Sequence, residues 1–229
     1  MNVVLVHGAF ADGSSWAHVI PALQDAGHYV VAAQLPLSSL SDDIATVRRA
    51  LAGVGGATIL VGHSYGGAVI GNAAGGALHV AGLVYISAFA PDRGESVNDV
   101  AAMPGPGLGA AAFFELDTAG YARIEQSQFR EIFAADVPEV EARTMAAVQK
   151  PVHVTVFDEK SATAAWHDLP SWTLVSENDR LIDARVQRRM AERAGASVTS
   201  VPSSHASPVS HPFETTQVIL EATRSLVPA

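Results

Sequence analysis

Residues 59–71 read ILVGHSYGGAVIG: an apolar run ends at Gly62, a serine lies between two glycines, and a second apolar run begins. Gly62, Ser64 and Gly66 match the pattern G-x-S-x-G, in which a serine occupies a tight, strained turn between a strand and a helix. Glycine is favoured two residues to either side because a side chain there would collide with neighbouring backbone. The β-branched run before the motif and the small residues after it predict that strand and that helix. We therefore predict that Ser64 is a nucleophile rather than a helix N-cap.

Short apolar runs recur along the chain and alternate with segments of helical pattern. Helices are expected over 14–26, 41–52, 66–77, 184–194 and 212–226. Continuous apolar runs, rather than alternating ones, predict strands that are buried on both faces, as in a parallel sheet covered by helices. The fold class is therefore α/β, with about six parallel strands: Val3–Val6, Tyr29–Ala32, Thr58–Val61, Ala81–Ile86, Trp172–Val175 and Ser197–Val201.

Residues 91–169, called the insertion below, break this alternation because no convincing pair of strands is visible in them. The insertion has helical patterning and contains most of the phenylalanines. We interpret it as a mostly helical cap that follows the strand near 81–86 and covers the carboxyl edge of the sheet, where open α/β folds bind ligands. A small satellite core is the alternative. The expected domains are a core of residues 1–90 and 170–229 and a cap of residues 91–169.

A serine hydroxyl becomes a good nucleophile only when a base removes its proton and a carboxylate orients that base. In strand–turn–helix serine sites the acid and then the histidine follow along the chain, each after a strand. WTLVSEND (172–179) and VTSVPSSH (198–205) supply a strand followed by an acidic loop and a strand followed by a histidine. We choose Asp179 and His205. The alternatives are Glu177, Asp183 and Asp92 for the acid and His211 for the base, while His7 and His63 are interpreted as scaffold.

Two backbone N–H groups are expected to stabilise the oxyanion of such a site. One belongs to Tyr65, the residue after the nucleophile, and the other to Ala9 in the loop after the first strand. Aromatic residues are candidates for an apolar substrate pocket, and they are Phe10, Phe113, Phe114, Phe129, Phe133 and Trp166.

Four stretches together resemble the α/β-hydrolase superfamily: VLVHGAFADGSSW, VGHSYGG, SENDRLI and PSSHASPVSHP. Within it they are similar to the small esterase and hydroxynitrile-lyase branch, which includes salicylate-type methylesterases. The resemblance spans residues 2 to about 226 and is weakest in the insertion. It implies a cofactor-free enzyme with a helical cap over a Ser-Asp-His triad, with Ser64, Asp179 and His205 in those roles and Ala9 and Tyr65 as oxyanion amides.

The sequence departs from the cyanohydrin-cleaving members of that branch at two positions. Those members carry a threonine in the oxyanion loop and a lysine after the catalytic histidine, where this chain has Gly8 and Ala206. The expected activity is therefore hydrolysis of a small or medium apolar carboxylic ester or lactone through an acyl-enzyme. A hydroxynitrile-lyase-like C–C lyase and a slow-turnover small-molecule-binding protein are the alternatives.

Composition narrows the possible partners. The 229 residues carry a net charge of −9 without a basic cluster, which argues against nucleic acid and anionic membranes. The absence of cysteine excludes disulfides and thiolate metal sites, and no histidine has metal-ligand spacing, so no metal is expected; that no cofactor is needed is what the resemblance implies. Without an export-signal pattern or a long apolar run, a cytoplasmic protein is expected. The expected partner is the small-molecule ester substrate. The oligomeric state stays open, with a homodimer as one alternative.

Overall fold

The structure, a computed structural model, describes residues 1–103 and 113–226. Residues 104–112, which belong to the predicted cap, and 227–229 lie outside the described residues. The strands are β1 (Asn2–Val6), β2 (Tyr29–Ala33), β3 (Thr58–His63), β4 (Val80–Ile86), β5 (Phe114–Leu116), β6 (Tyr121–Ile124), β7 (Val152–His153), β8 (Ser171–Ser176) and β9 (Ser197–Val201). The α-helices are α1 (Ile20–Asp25), α2 (Leu40–Ala52), α3 (Gly66–Ala73), α4 (Val97–Ala101), α5 (Gln126–Phe133), α6 (Glu139–Val148), α7 (Ala184–Arg193), α8 (Ser207–Ser210) and α9 (Pro212–Ser225).

Six strands form one parallel sheet in the order β2-β1-β3-β4-β8-β9. In register, Val6 of β1 lies beside Gly62 of β3, and His63 lies beside Ile86 of β4. The carboxyl ends of these three central strands therefore meet at one edge, and Ser64 follows directly there. The predicted α/β class with six parallel strands is confirmed.

Alternate residues of the central strands belong to two cores, one on each face of the sheet. Val4, Val6 and Leu60 contribute to the core that α2, α3 and the insertion cover. The other core contains Val3, Leu5, Ile59 and Val61 together with apolar residues of α1 and α9. Burying each such side chain contributes about 1.5–3 kcal/mol. Apolar residues on both faces of these strands therefore favour a position between two layers of helices. This explains the continuous apolar runs in the sequence.

Two predicted helix starts differ from the structure for local reasons. The helix predicted over 14–26 is divided into a 3₁₀ turn at Gly13–Trp16 and α1, in which Pro21 occupies the first turn. Proline lacks an N–H and is accepted only where a helix begins, so α1 starts beside it. The next helix, α2, starts after Ser39 rather than at Ser41, because the Ser39 hydroxyl accepts the Asp42 N–H at 3.0 Å.

The insertion contains a small sheet that the sequence analysis did not predict. Strands β5, β6 and β7 pair antiparallel in that order and pack with α4, α5 and α6. They have three, four and two residues, too few to display an alternating pattern. Asp117 and Gly120 are the residues in the sequence that could have indicated the hairpin turn between β5 and β6. The Asp117 carboxylate accepts the Ala119 and Tyr121 N–H groups, and Gly120 has φ +86°.

None of the helices formed by the described residues combines the length and apolar character needed to cross a bilayer.

Gln149 links α6 to β6, because its side-chain amide bonds the Ile124 backbone N–H and C=O as a neighbouring strand would. Its Oε1 accepts the Ile124 N–H at 2.8 Å, and its Nε2 donates to the carbonyls of Ile124 and Ala146 at 2.8 and 3.0 Å. The side chain is buried, so these bonds have little competition from water.

The substitution Gln149→Ala should lower the free energy of unfolding by about 2–3 kcal/mol, because it leaves the buried N–H and C=O of Ile124 without partners. Urea denaturation followed by circular dichroism measures this loss. Thr144→Ala, on the exposed side of α6, is the control and should change stability by less than about 0.5 kcal/mol. Equal effects of the two substitutions would contradict the role given to Gln149.

Candidate active site

Ser64 lies at the turn between β3 and α3 in a backbone conformation that serine rarely adopts, with φ 53°. The turn is tight because the flanking glycines have no side chains: a Cβ at Gly62 would lie 2.6 Å from the Gly66 carbonyl oxygen. A Cβ at Gly66 would lie 2.6 Å from the carbonyl oxygen of Val6. A backbone hydrogen bond fixes the turn against β4, since the Ser64 N–H donates to the Ile86 carbonyl oxygen at 3.2 Å. The glycines therefore permit a strained serine at the centre of the sheet edge.

Asp179 follows β8 and His205 follows β9, and their buried side chains meet with 2.7 Å between Oδ2 and Nδ1. The Asp179 carboxylate also accepts the N–H groups of Leu181 and Ile182 at 2.8 and 2.9 Å and the Gln187 amide at 2.9 Å. A carboxylate can only accept, so His205 Nδ1 donates, and in the neutral imidazole Nε2 is left as the acceptor.

His205 Nε2 is buried and has no hydrogen-bond partner among the described residues. Ser64 and His205 both border a cavity of about 210 Å³, but no hydrogen bond joins the Ser64 hydroxyl to Nε2 within the described chain. Catalytic hydrogen bonds are often long in free enzymes and shorten when substrate is bound. The structure thus places Ser64 and His205, whose Nε2 has no partner among the described residues, beside one cavity.

The loop after β1 runs directly against the serine turn. A Cβ at Gly8 would lie 2.7 Å from the Ser64 Cβ, so only glycine permits this approach. Ala9 comes next and borders the same cavity as Ser64. Within residues 1–103 and 113–226, neither the Ala9 nor the Tyr65 N–H donates to a protein acceptor. Both amides therefore lack a protein acceptor there, although Ala9 borders the cavity and the buried Tyr65 does not.

His7 and His63 hold this arrangement in place as neutral rings. His7 Nδ1 donates to the Gly8 carbonyl at 2.8 Å, and its Nε2 accepts the Leu35 N–H at 2.9 Å. His63 Nε2 donates to the His205 carbonyl at 2.9 Å. Burial lowers the pKa of His7 to about 4 and, with the nearby His205, that of His63 to about 3. Neither ring is suited to exchange protons at neutral pH, which agrees with a scaffold role.

The insertion contacts the His205 loop at two points that the sequence analysis missed. The Phe133 ring meets the His205 ring edge-on, with 4.9 Å between centroids. Asp136 accepts the Ser204 N–H at 2.9 Å and the Ser204 hydroxyl at 2.5 Å. Gln187, which supports Asp179, was also missed. The Phe133 and Asp136 contacts join residues far apart in the chain, so no local pattern signals them, whereas Gln187 lies on α7 only eight residues after Asp179.

The alternative acids and base lie elsewhere. Glu177 pairs with Arg188, and Asp183 caps α7 by accepting the Arg185 N–H at 2.8 Å. Asp92 pairs with His167 at 2.9 Å. His211 precedes α9, 3.5 Å from Asp136. None of these four residues borders the Ser64 cavity.

The predicted pocket aromatics divide into three groups. Phe10, Phe114 and Phe133 border the Ser64 cavity, whose wall is completed mainly by apolar residues. Phe129 borders a neighbouring cavity of about 170 Å³. Phe113 and Trp166 border neither: Phe113 is 39% exposed, and the Trp166 indole donates to the Pro91 carbonyl at 3.2 Å at the base of the insertion. An open groove of about 930 Å³ outside α5 and α6 includes none of the predicted site residues.

Residues 3–218 match the alpha/beta hydrolase family, and the chain belongs to that family. The resemblance to α/β-hydrolases seen in the four motifs is thereby confirmed.

Individual relatives are similar to different extents. A carbendazim-hydrolysing esterase of Nocardioides sp. (strain SG-4G) is 38% identical over 109 residues, which span 42% of this chain and 45% of that protein. The crystal structure of a pyrethroid hydrolase from Sphingobium faniae JZ-2 superposes with a TM-score of 0.85, 23% identity and 98% of each chain covered. A methylesterase from Arabidopsis, MES16, gives a TM-score of 0.84 at 17% identity, with 99% of this chain and all of that chain covered. At these identities the two structures show a shared fold.

The neutral state of His7 predicts a pH-dependent contribution to stability. The folded pKa of about 4 lies below the unfolded value of 6.5, so as the pH falls through this window only the unfolded chain takes up the proton, and stability is lost. The difference in unfolding free energy between the wild type and His7→Asn should therefore shrink by about 2 kcal/mol from pH 7 to pH 5. Urea titrations at both pH values measure it. A constant difference would contradict a buried neutral ring.

Proposed function

We propose that the protein is a serine hydrolase that cleaves a small or medium apolar carboxylic ester through an acyl-enzyme intermediate. The observation that carries this proposal is the buried Asp179–His205 pair, because His205 borders the same cavity as Ser64 and its Nε2 has no partner among the described residues. The names of the similar proteins, an esterase of carbendazim, a pyrethroid hydrolase and a methylesterase, support ester hydrolysis as the reaction class.

In the first step the Ser64 oxygen attacks the ester carbonyl carbon while its proton passes to His205 Nε2. The carbonyl π electrons move to the oxygen, and the N–H groups of Ala9 and Tyr65 stabilise the resulting oxyanion. Asp179 stabilises the imidazolium by accepting its Nδ1 proton in a hydrogen bond. Donors aimed at an oxyanion in a water-poor site are each worth roughly 2.7–4 kcal/mol of barrier lowering.

In the second step the bond between the carbonyl carbon and the leaving oxygen breaks, and His205 returns its proton to that oxygen. The acyl group remains on Ser64. Water then attacks the acyl carbon, again giving its proton to His205 Nε2, and the acid leaves as Ser64 recovers the proton. The insertion forms the cap over this site: Phe133 packs on His205, and Asp136 holds the preceding Ser204.

Ser64→Ala should reduce kcat for p-nitrophenyl acetate by a factor on the order of 10⁶, because the triad acts as a unit and the remaining groups cannot form an acyl-enzyme. Initial rates measured with purified protein test this. Near-wild-type turnover by the variant would refute the assignment of Ser64.

Asp179→Asn should reduce kcat by a factor on the order of 10⁴. With its oxygen on the Leu181 and Ile182 N–H groups, the amide would set its NH2 against both the Gln187 amide and the His205 Nδ1–H, which favours the tautomer with the proton on Nε2. Glu177→Gln, two residues earlier on the exposed loop, is the matched control and should leave kcat within a factor of about two. If Glu177→Gln proves as damaging as Asp179→Asn, the choice of Asp179 as the acid is wrong.

A further inference from the structure

A second cavity lies beside the one that contains Ser64. Its volume is about 170 Å³, and the loop after β1, α5 and α6 surround it. The Phe10 and Phe133 side chains border both cavities, so these two rings form the wall that the cavities share. We call the second space the outer compartment.

The outer compartment has an apolar lining and an acidic rim. Its apolar wall includes Ala11, Phe129, Met145, Val148 and Val209. At the rim, His18 Nε2 lies 2.8 Å from Glu141 Oε1 on α6. Asp12 also borders this cavity. Among the described residues that border either cavity there is no lysine or arginine. The compartment therefore suits a neutral apolar group, and its described lining offers no lysine or arginine to a carboxylate.

The two shared aromatic side chains are placed next to the proposed chemistry. Phe10 follows Ala9 directly, has φ 61° and packs against Phe114 with 4.9 Å between ring centroids. Phe133 packs on His205. A substrate that reaches from Ser64 past these rings would keep its ester carbonyl beside the Ala9 amide while its far end enters the outer compartment.

We propose that the outer compartment binds the second apolar group of the substrate, so that the enzyme acts on neutral esters with an apolar group on each side of the ester bond. This inference rests on the proposed function and adds the substrate class. One group occupies the Ser64 cavity and the other displaces the Phe10 or Phe133 ring to occupy the outer compartment.

The preference is measured with two esters that release the same phenol: phenyl acetate, with one apolar group, and phenyl 3-phenylpropanoate, with two. A single methylene in an apolar pocket is worth about 10–200-fold in kcat/KM, so the wild type should prefer the second ester by at least about tenfold. Met145→Trp, which fills the outer compartment from α6, should reduce this preference to less than about threefold.

The matched control is Ala147→Trp, which adds the same indole on α6 but borders the groove on the outer side of the helix. It should keep the wild-type preference. Val148→Trp, at a position 57% exposed on the same cavity wall, gives a second filling variant if Met145→Trp does not fold.

An unchanged preference in the filling variants, or an equal loss in Ala147→Trp, would overturn the outer compartment as a substrate site. A wild type that shows no preference would overturn it too. Ser64→Ala, assayed with the same two esters, separates this failure from failure of the proposed function. Turnover that persists without the Ser64 hydroxyl contradicts the hydrolase mechanism, whereas its loss together with an unchanged preference contradicts the compartment alone.

Discussion

The site depends on how closely three backbone segments approach one another around Ser64. The turn after β3, the loop after β1 and the start of α3 pass at distances that leave no space for a Cβ at Gly8, Gly62 or Gly66. This approach holds Ser64 at φ 53° and brings the Ala9 and Tyr65 amides to the same edge of the sheet. The strain of such a conformation, of order 1–3 kcal/mol, is offset by the buried central strands on either side of the turn.

Buried hydrogen bonds then fix the surrounding residues. The Tyr65 hydroxyl donates to Asp43 at 2.8 Å, and the other Asp43 oxygen accepts the Leu37 N–H at 2.9 Å; burial raises the pKa of this carboxyl to about 6. Asp179 is bound on both oxygens as well. Satisfied polar groups in a dry interior hold their geometry. His205 Nε2 is one of six buried side-chain polar atoms that lack a partner among the described residues, and of those six residues His205 alone borders the Ser64 cavity.

Sequence alone predicted the parts of this architecture that leave a local pattern. Six buried strands leave continuous apolar runs, and a strained serine turn leaves glycines two residues to either side, so the sheet and the position of Ser64 could be read directly. Asp179 and His205 could be chosen because each follows a strand. The β5–β7 sheet was missed because its strands are too short to show a period. Asp136 reaches Ser204 across the fold, and the Gln187 contact depends on how α7 packs beside the Asp179 loop. Which aromatics border the cavity depends on the packing of the insertion.

If His205 activates Ser64, that serine should react selectively with a covalent probe. A fluorophosphonate probe reacts with an activated serine, and peptide mass spectrometry then locates the adduct. We expect one adduct on the peptide that contains Ser64, formed much more slowly when His205 is replaced by alanine. Absence of an adduct, labelling of Ser87 or Ser204 instead, or labelling of Ser64 at the same rate without His205 would contradict the account.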